Sequence, residues 1–276
     1  AAPDSAADNE GGFQAIVAIA DVSYYVRPGS VLDRQARKRG NSVYFPDRVV
    51  PMLPHALSSD MCSLKGGQDR AAMACHLTID KHGKATAFRF TRAIIRVAAN
   101  IPYEQAQQAI DKAEGKPVPP ISIEPGSRFD PTLPDRIEAE GLVENALKPL
   151  WACWRLLAKA RDARNPLELD LPERRVVIDE KGRITSIAIR ERLDAHRLIE
   201  DYMIAANVTA AKALEAKKAP VMYRDHEAPS REKLTALKEY LETFDISFSL
   251  GQVITTKTFN RLIEQIPDDA AARPLI

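Results

Sequence analysis

Residues 15–54 read AIVAIADVSYYVRPGSVLDRQARKRGNSVYFPDRVVPMLP, and the rest of the chain can be organised around them. The apolar run from Phe13 to Ala20 predicts a strand that is buried on both faces, and Asp21 places a carboxylate where that strand ends. Ser30, with a carboxylate three residues later, is typical of a helix N-cap. Gly40 can end this short helix because glycine readily adopts a positive φ.

The short helix is basic, with four cations within six residues: Arg34, Arg37, Lys38 and Arg39. A second β-type segment, Val43 to Phe45, follows it and carries two aromatic rings. Cations hold phosphates and aromatic rings stack on bases, so the stretch is a candidate nucleic-acid contact through Tyr44 or Phe45. The residues alone leave a second interpretation open, a solvated basic helix face beside two aromatic residues of the core.

Composition limits the classes of function. The 276 residues are 45% hydrophobic and 28% charged, as in a globular protein with a substantial core. A net charge of +1 does not point to nucleic acid, so any such footprint must be local. Three widely spaced cysteines without a CxxC pair indicate thiols of a reducing compartment. No apolar run approaches membrane-spanning length and the N-terminus lacks signal-peptide features, so we expect a cytoplasmic protein.

The remaining chain predicts hairpins and amphipathic helices. Glycine-containing turns predict the hairpins, and one apolar helical stripe carries Trp151 and Trp154, which is typical of a core. The predicted strands are 73–80, 84–99, 167–171, 174–179, 184–189 and 221–224. The predicted helices are 103–114, 135–164, 192–218, one that begins after Ser230, and 255–266, with a surface connection over 115–134.

The helix predicted over residues 192–218 combines two patterns. Apolar side chains surround it, so its middle should be buried on most sides. His196, Glu200 and Asn207 lie on one narrow polar stripe, at i, i+4 and i+11. Buried polar groups are costly without partners, so the stripe either satisfies internal hydrogen bonds or faces an active-site channel. The residues alone leave both interpretations open.

The order of several long motifs resembles a known family. IADVSYYV, LDRQARKRGNSVYFP and VPMLPHALSSDMCSL occur in that order, and RERLDAHRLIEDYMIAANVTAAKALE and VMYRDHEAPSREKLTALKEYL follow downstream. This arrangement resembles the RNB catalytic domain of the ribonuclease II and ribonuclease R exoribonucleases, with the ribonuclease R branch the more similar. The resemblance covers nearly the whole chain, and its motifs are far more specific than a single short pattern.

The resemblance implies a fold and an activity. The fold is α/β (α+β), with a curved, mostly antiparallel sheet packed by the long helices 135–164 and 192–218, and residues 1–276 form one incomplete RNB domain. The implied activity is a 3′-to-5′ exoribonuclease that hydrolyses single-stranded RNA to nucleoside 5′-monophosphates with Mg²⁺. We expect the protein to act as a monomer.

The resemblance also implies roles for particular residues. Tyr44 matches a residue that packs at the 3′-terminal nucleotide, and Glu200 matches an acidic residue near the RNA 3′ end. Leu169 stands where ribonuclease II-like proteins carry a phenylalanine that helps to sandwich the stacked bases, and leucine offers no π-face for such a clamp. The basic cluster is a candidate phosphate contact, although most of its members fit a solvated helix face as well.

The chain departs from the family pattern in two places. The family's metal-binding aspartates lie in a motif of the form D-x5-D-x-DD just upstream of the first strand, and neither Asp4 nor Asp8 matches it. The SPIRR-type arginine motif is absent as well. Any Mg²⁺ would therefore be bound through aspartates not present in this chain, and a non-catalytic RNA-binding or structural portion is the alternative. A small-molecule enzyme is disfavoured, since GxGxxG, GxSxG and P-loop motifs are missing.

Overall fold

The computed structural model describes residues 1–118, 133, 137, 141–167, 174–179, 181–189, 192–225, 227–251 and 253–265. Its strands are β1 (Ala2–Pro3), β2 (Phe13–Ala20), β3 (Val43–Tyr44), β4 (Val49–Val50), β5 (Asp69–Ile79), β6 (Ala85–Arg96), β7 (Arg174–Ile178) and β8 (Ile184–Ile189). Its helices are α1 (Val22–Tyr25), α2 (Val31–Arg39), α3 (Tyr103–Ala113), α4 (Lys148–Asp162), α5 (Asp194–Ala216), α6 (Arg231–Glu242) and α7 (Thr256–Glu264). Helical turns at Ala7–Asn9, Ala56–Met61 and Val143–Leu147 complete the described elements.

The main sheet is antiparallel throughout and has the strand order β1-β2-β5-β6. Phe13 pairs with Ile79 at one end of β2, and Ala20 pairs with Ala72 at the other. Two further strand pairs, β3–β4 and β7–β8, are also antiparallel. The mixed helix and antiparallel sheet confirms the predicted fold class, and both predicted hairpins are present.

The prediction that β2 is buried on both faces is wrong for the described residues. Ala15 is buried, but Ile16 on the opposite face is 61% exposed. Ile19, on the same face as Ala15, is also exposed, towards the end of the strand. An antiparallel sheet is commonly covered on one face only, and an apolar run does not by itself distinguish the two cases.

The core lies between the sheet and helices α4 and α5. Trp151, Trp154 and Leu157 of α4 and Leu198 of α5 pack in one cluster with Leu77 of the central strand β5. The prediction that the tryptophan stripe belongs to the core is confirmed. Of the helix predicted over 135–164, residues 142–162 are helical, with a π-helical turn that leads directly into α4, and residues 134–136 and 138–140 lie outside the described residues.

Helix α5 is less buried than its apolar sequence predicts. Leu198 and Tyr202 face the core, but Met203, Ile204 and Val208 on the other side are exposed among the described residues. An apolar pattern shows which side chains can be buried, not whether a partner surface covers them, and this is why the prediction of burial on most sides is wrong.

The C-terminal helices α6 and α7 form a second, smaller cluster around Leu241, Phe248 and Leu262. Residues 221–224, predicted as a strand, are not a strand in the structure: they pair with no described strand, and Met222 is 96% exposed. Among the described residues no helix combines the length and the hydropathy needed to span a membrane.

Candidate nucleic-acid interface

A buried carboxylate lies at the carboxyl end of β2. Asp21 is only 5% exposed, and its backbone N–H donates to the carbonyl of Ala71 at 3.1 Å. Its side-chain oxygens are bound as well: Ser23 Oγ donates at 2.5 Å, and Arg92 Nε lies 3.1 Å from Oδ2. Because Arg92 belongs to β6, this ion pair joins two strands that are separated by β5. The cation neutralises a charge that burial would otherwise make costly.

The turn before α2 confirms the predicted N-cap. Ser30 Oγ accepts a hydrogen bond from the backbone N–H of Asp33 at 3.2 Å, and Asp33 Oδ2 accepts one from the N–H of Gly29 at 2.8 Å. The hydrogen bond from Gly29 is the main reason why the pKa of Asp33 lies below its ordinary value. Gly40 ends the helix with φ +76°, as expected for a C-terminal glycine. Residues 31–50, from α2 through β4, are called the arm below.

Three of the four cations of the predicted basic cluster bind within the arm or to a residue close to one of its ends. The contacts are Arg34 to the carbonyl of Gly29 at 2.5 Å, Arg37 to the carboxylate of Asp33 at 3.3 Å, and Arg39 to the carbonyl of Pro51 at 2.8 Å. Lys38 is exposed and has no hydrogen bond or ion pair within the described part of the chain. Each guanidinium retains further N–H groups, so the cluster can still present positive charge to an anion.

The arm exposes its aromatic rings. Tyr44 lies in β3, pairs with Val49 of β4, and is 77% exposed. Phe45 is also exposed, and the guanidinium of Arg48 lies 4.8 Å from its ring centroid. The interpretation that these two aromatic residues belong to the core is therefore wrong. A ring as open as that of Tyr44 is available for stacking.

Another exposed ring, outside the arm, lies close to the buried carboxylate. Tyr24 in α1 is half exposed and makes an edge contact with Tyr25, their ring centroids 5.0 Å apart. The guanidinium of Arg27 lies 5.6 Å from the Tyr24 ring centroid. Sequence reasoning missed Tyr24, Arg27 and Arg92 as candidate contacts. The aromatic pair in the SYYV motif was a visible signal for Tyr24, whereas nothing in the sequence pairs Arg92 with Asp21.

The three residues of the polar stripe predicted on α5 lie in different environments. The His196 ring stacks on Tyr103 with 4.3 Å between the ring centroids, and its Nδ1 accepts from the backbone N–H of Leu193. Glu200 is exposed and pairs with Arg192 at 2.5 Å. Asn207 is exposed too. The structure therefore separates a packed histidine from two solvent-facing polar residues.

Asp201, the residue that follows Glu200, is buried and has a structural role. Asp201 is 7% exposed and accepts hydrogen bonds from Trp154 Nε1 at 2.8 Å and Arg161 Nη1 at 2.7 Å. Both donors lie on α4, so this carboxylate joins α4 to α5. By doing so it fixes the rotation of α5 and keeps Glu200 on the outer side.

The predicted site residues are not joined directly. Among the described residues no hydrogen bond or ion pair connects Tyr44 to Glu200, or the arm to α5. Leu169 lies outside the described residues. Within the described part of the chain, no three side chains of the His, Cys, Asp and Glu types are grouped so that they could hold a metal ion. The described residues therefore do not provide a site for the Mg²⁺ that the resemblance implies.

Comparison with known proteins agrees with the motif order. The family model "RNB domain" matches residues 4–276. Ribonuclease R of Vibrio parahaemolyticus is 35% identical over 257 residues, which are 93% of this chain and 28% of the relative. Ribonuclease R of Escherichia coli K12 is 34% identical over 265 residues, 96% of this chain and 30% of the relative. The chain thus spans about three-tenths of the length of these curated relatives.

Solved structures show the same likeness. RNase R of Mycoplasma genitalium in its apo form superposes with a TM-score of 0.78 and 28% identity, covering 96% of this chain and 38% of that chain. The same enzyme in complex with double-stranded RNA gives a TM-score of 0.77 and 26% identity, covering 97% of this chain and 46% of that chain. The motif order, the antiparallel sheet with its two packed helices, and the matched range together show that this chain belongs to the RNB domain family.

Proposed function

We propose that the protein is a 3′-to-5′ exoribonuclease of the ribonuclease R type, which hydrolyses single-stranded RNA to nucleoside 5′-monophosphates. The observation that carries this proposal is the likeness to ribonuclease R over more than nine-tenths of the chain, in sequence and in fold alike. A ribonuclease R structure with bound RNA supports RNA as the ligand. The exposed rings and cations of the arm are suited to the same ligand.

In this proposal Tyr44 stacks on a nucleotide near the 3′ end of the RNA. Its ring is the most exposed large aromatic side chain of the arm, and stacking contributes about 1–3 kcal/mol per base. Lys38 and the basic residues around it, Arg34, Arg37 and Arg39, contact backbone phosphates. Leu169 provides apolar contact to a base without a π-face.

Glu200 acts near the 3′-terminal nucleotide. Its carboxylate is exposed on the outer side of α5, where it can accept a hydrogen bond from a ribose hydroxyl in exchange for part of its pairing with Arg192. Asp201, buried against Trp154 and Arg161, holds the helix in the rotation that this role requires.

Mg²⁺ belongs to the proposal as the cofactor, held by aspartates of an acidic motif that this chain does not contain. The described residues do not group three side chains of the His, Cys, Asp and Glu types that could hold the ion. The proposed catalysis requires that acidic motif together with the residues of this chain.

The test is degradation of 5′-labelled single-stranded RNA in the presence of Mg²⁺. The chain is compared with a fusion that adds the acidic segment of E. coli ribonuclease R before Ala1 and the arginine-motif segment after Ile276. We expect only the fusion to shorten the RNA from its 3′ end. Tyr44→Ala in the fusion should then change the length of the end product, because the ring that holds the last nucleotides is gone. If neither form degrades RNA, the proposed activity is wrong.

A second candidate function is RNA binding without catalysis. The observation that favours it is the arm itself, whose exposed Tyr44 and Phe45 and whose cations can bind RNA without any metal. RNA binding by the chain, measured by fluorescence anisotropy with EDTA present, tests it. Equal binding by wild type and Tyr44→Ala would count against the arm as the binding surface.

A preference for single strands, a monomeric state and a cytoplasmic location are the finer parts of the proposal. Competition between single-stranded and duplex RNA measures the first, and light scattering of the purified chain measures the second. A dimer in solution or a preference for duplex RNA would contradict the corresponding part.

A further inference from the structure

The guanidinium of Arg92, towards the open end of the β5–β6 hairpin, is bound along one edge and has a free N–H group on the other. Arg92 Nε lies 3.1 Å from Asp21 Oδ2, and Nη2 donates to Ser23 Oγ at 3.1 Å. Within the described chain its Nη1 group has no partner, and the side chain is 56% exposed. An arginine with one free N–H edge is suited to an anion with paired oxygens, such as a phosphate.

The buried carboxylate fixes this cation in place. A surface arginine normally moves among many rotamers, and binding a ligand must pay for that lost freedom. Asp21 is almost completely buried and accepts from both Ser23 and Arg92, so the guanidinium is already ordered before a ligand arrives. Such pre-organisation strengthens binding without an added contact.

The surroundings of Arg92 favour a nucleic-acid strand. In the strand register Ile19 lies opposite Met73 and Met73 lies opposite Arg92, so the three side chains share one face of the sheet. Ile94, two residues further along β6, is on the same face and largely exposed. Tyr24 directly follows Ser23 and exposes its ring. Apolar and aromatic groups therefore flank the cation, as expected for a surface that contacts sugars and bases.

The oxygens of the two neighbouring carboxylates are already bound, so neither carboxylate presents a free oxygen to an anion. Asp69, at the same end of the hairpin, is held by two nitrogens of Arg96 at 2.7 and 2.9 Å. Asp21 is shielded from solvent by its burial. An approaching phosphate therefore meets the open guanidinium edge rather than a free carboxylate.

We propose that Arg92 contacts a backbone phosphate of bound RNA, and that Asp21 and Ser23 are positioning residues that hold its guanidinium for that contact. The proposal rests on the proposed function in one respect, that the chain binds RNA. It adds a binding residue outside the arm and outside α5.

The test is the salt dependence of RNA binding, measured by fluorescence anisotropy with a short 5′-labelled oligoadenylate and the full 276-residue chain. One lost phosphate contact on a single strand lowers the slope of log K against log [salt] by about 0.7. We therefore expect Arg92→Gln to lower the slope by that amount and to raise Kd roughly tenfold at low salt. Arg89→Gln is the matched control, because Arg89 lies on the opposite face of β6 and contacts His76.

Two further variants separate positioning from folding. Asp21→Asn retains the positive charge of Arg92 but holds its guanidinium less firmly. The slope of log K against log [salt] should therefore stay unchanged while Kd rises. Arg92→Lys keeps a cation beside Asp21 and loses the planar fork, so it should also keep the slope and weaken binding. A thermal melt of each variant confirms that it is folded at the assay temperature.

The outcomes are distinguishable. If the wild type binds RNA but Arg92→Gln and Arg92→Lys both bind as Arg89→Gln does, then Arg92 only neutralises Asp21 and this inference is wrong while the proposed function stands. If the wild type does not bind the oligoadenylate at any salt concentration, both are overturned. A lower slope of log K against log [salt] for Arg92→Gln, without a change of slope for Arg92→Lys or Arg89→Gln, supports the phosphate contact.

Discussion

The β5–β6 and β7–β8 hairpins have the same turn in different surroundings. In each turn an aspartate carboxylate accepts from the backbone N–H groups two and four residues later, every hydrogen bond being 2.9 Å long. In each, a glycine three residues after the aspartate has φ +75°. The pairs are Asp80 with Gly83 and Asp179 with Gly182. Both hairpins also have a bulge immediately before the turn.

The surroundings of the two turns differ completely. A Cβ at Gly83 would lie 2.1 Å from the carbonyl oxygen of Leu156 in α4, whereas no atom of the described residues lies within 4 Å of the corresponding position at Gly182. The first hairpin buries Leu77 in the core, and the second exposes Ile187. The comparison shows that local sequence determines the turn, while packing determines how much the fold depends on it.

Gly83→Ala should have the largest effect. A left-handed φ costs a non-glycine residue on the order of 1–3 kcal/mol, and crowding against a packed helix adds a similar amount. We therefore expect the free energy of unfolding to fall by about 4 kcal/mol in urea denaturation. The displaced group would be backbone of α4, which cannot move aside as a flexible side chain would.

Gly182→Ala is the matched control for Gly83→Ala. It has the same φ and no steric conflict with a described residue, so only the backbone strain remains and the loss should be about 1–2 kcal/mol. Equal losses for the two variants would contradict the close packing of the first turn on α4.

Leu77→Ala should have the next largest effect. Leu77 is fully buried between the sheet and helices α4 and α5, so its truncation leaves a cavity and should cost about 3 kcal/mol. Ile187→Ala, on the exposed side of β8, should cost less than about 1 kcal/mol. Urea denaturation of both variants measures the difference. A large loss for Ile187→Ala would mean that a partner surface covers the second hairpin.

The turns and caps were predictable from sequence because their signals are local. The Lys81-His82-Gly83 turn and the Ser30 N-cap each depend on residues within five positions of one another. The tryptophan stripe of α4 was predictable for the same reason, since helical spacing alone places Trp151 and Trp154 on one face. Fold class followed from the order of such elements and from the family resemblance.

The contacts of the candidate site were not predictable in the same way. Arg92 meets Ser23 across 69 residues of sequence, and the meeting depends on the registers of two strand pairs. The exposure of Tyr44 and of the outer face of α5 depends on which surfaces are covered, and periodicity does not contain that information. Glu200 and Asp201 are adjacent, yet one is exposed and the other buried, because α4 packs on only one side of α5.

The smallest expected effect concerns the pH dependence of the exposed turn. The hydrogen bond from the Arg183 backbone N–H is the main reason why the pKa of Asp179 lies below its ordinary value of about 3.9. A carboxyl whose folded-state pKa is lowered stabilises the fold above its unfolded-state pKa, and this contribution is lost as the pH falls through the folded-state pKa. Amide protection in β7–β8 should therefore be constant from neutral pH down to about pH 4 and decrease below it.

NMR titration of the Asp179 carboxyl carbon, together with hydrogen exchange of the β7 and β8 amides, measures this effect. Asp179→Asn is the control, because its side-chain oxygen can still accept from the turn but no longer ionises in this range. It should abolish the dependence on pH while largely keeping the hairpin. Since no described residue packs against Gly182, the loss at low pH should stay within β7–β8 and leave the amides of β5 and β6 protected. A titration midpoint at or above that of free aspartate would show that the turn hydrogen bonds of Asp179 do not form in solution. The hydrogen-bonded turn would then occur only in the packed β5–β6 hairpin, and the two turns would not be alike.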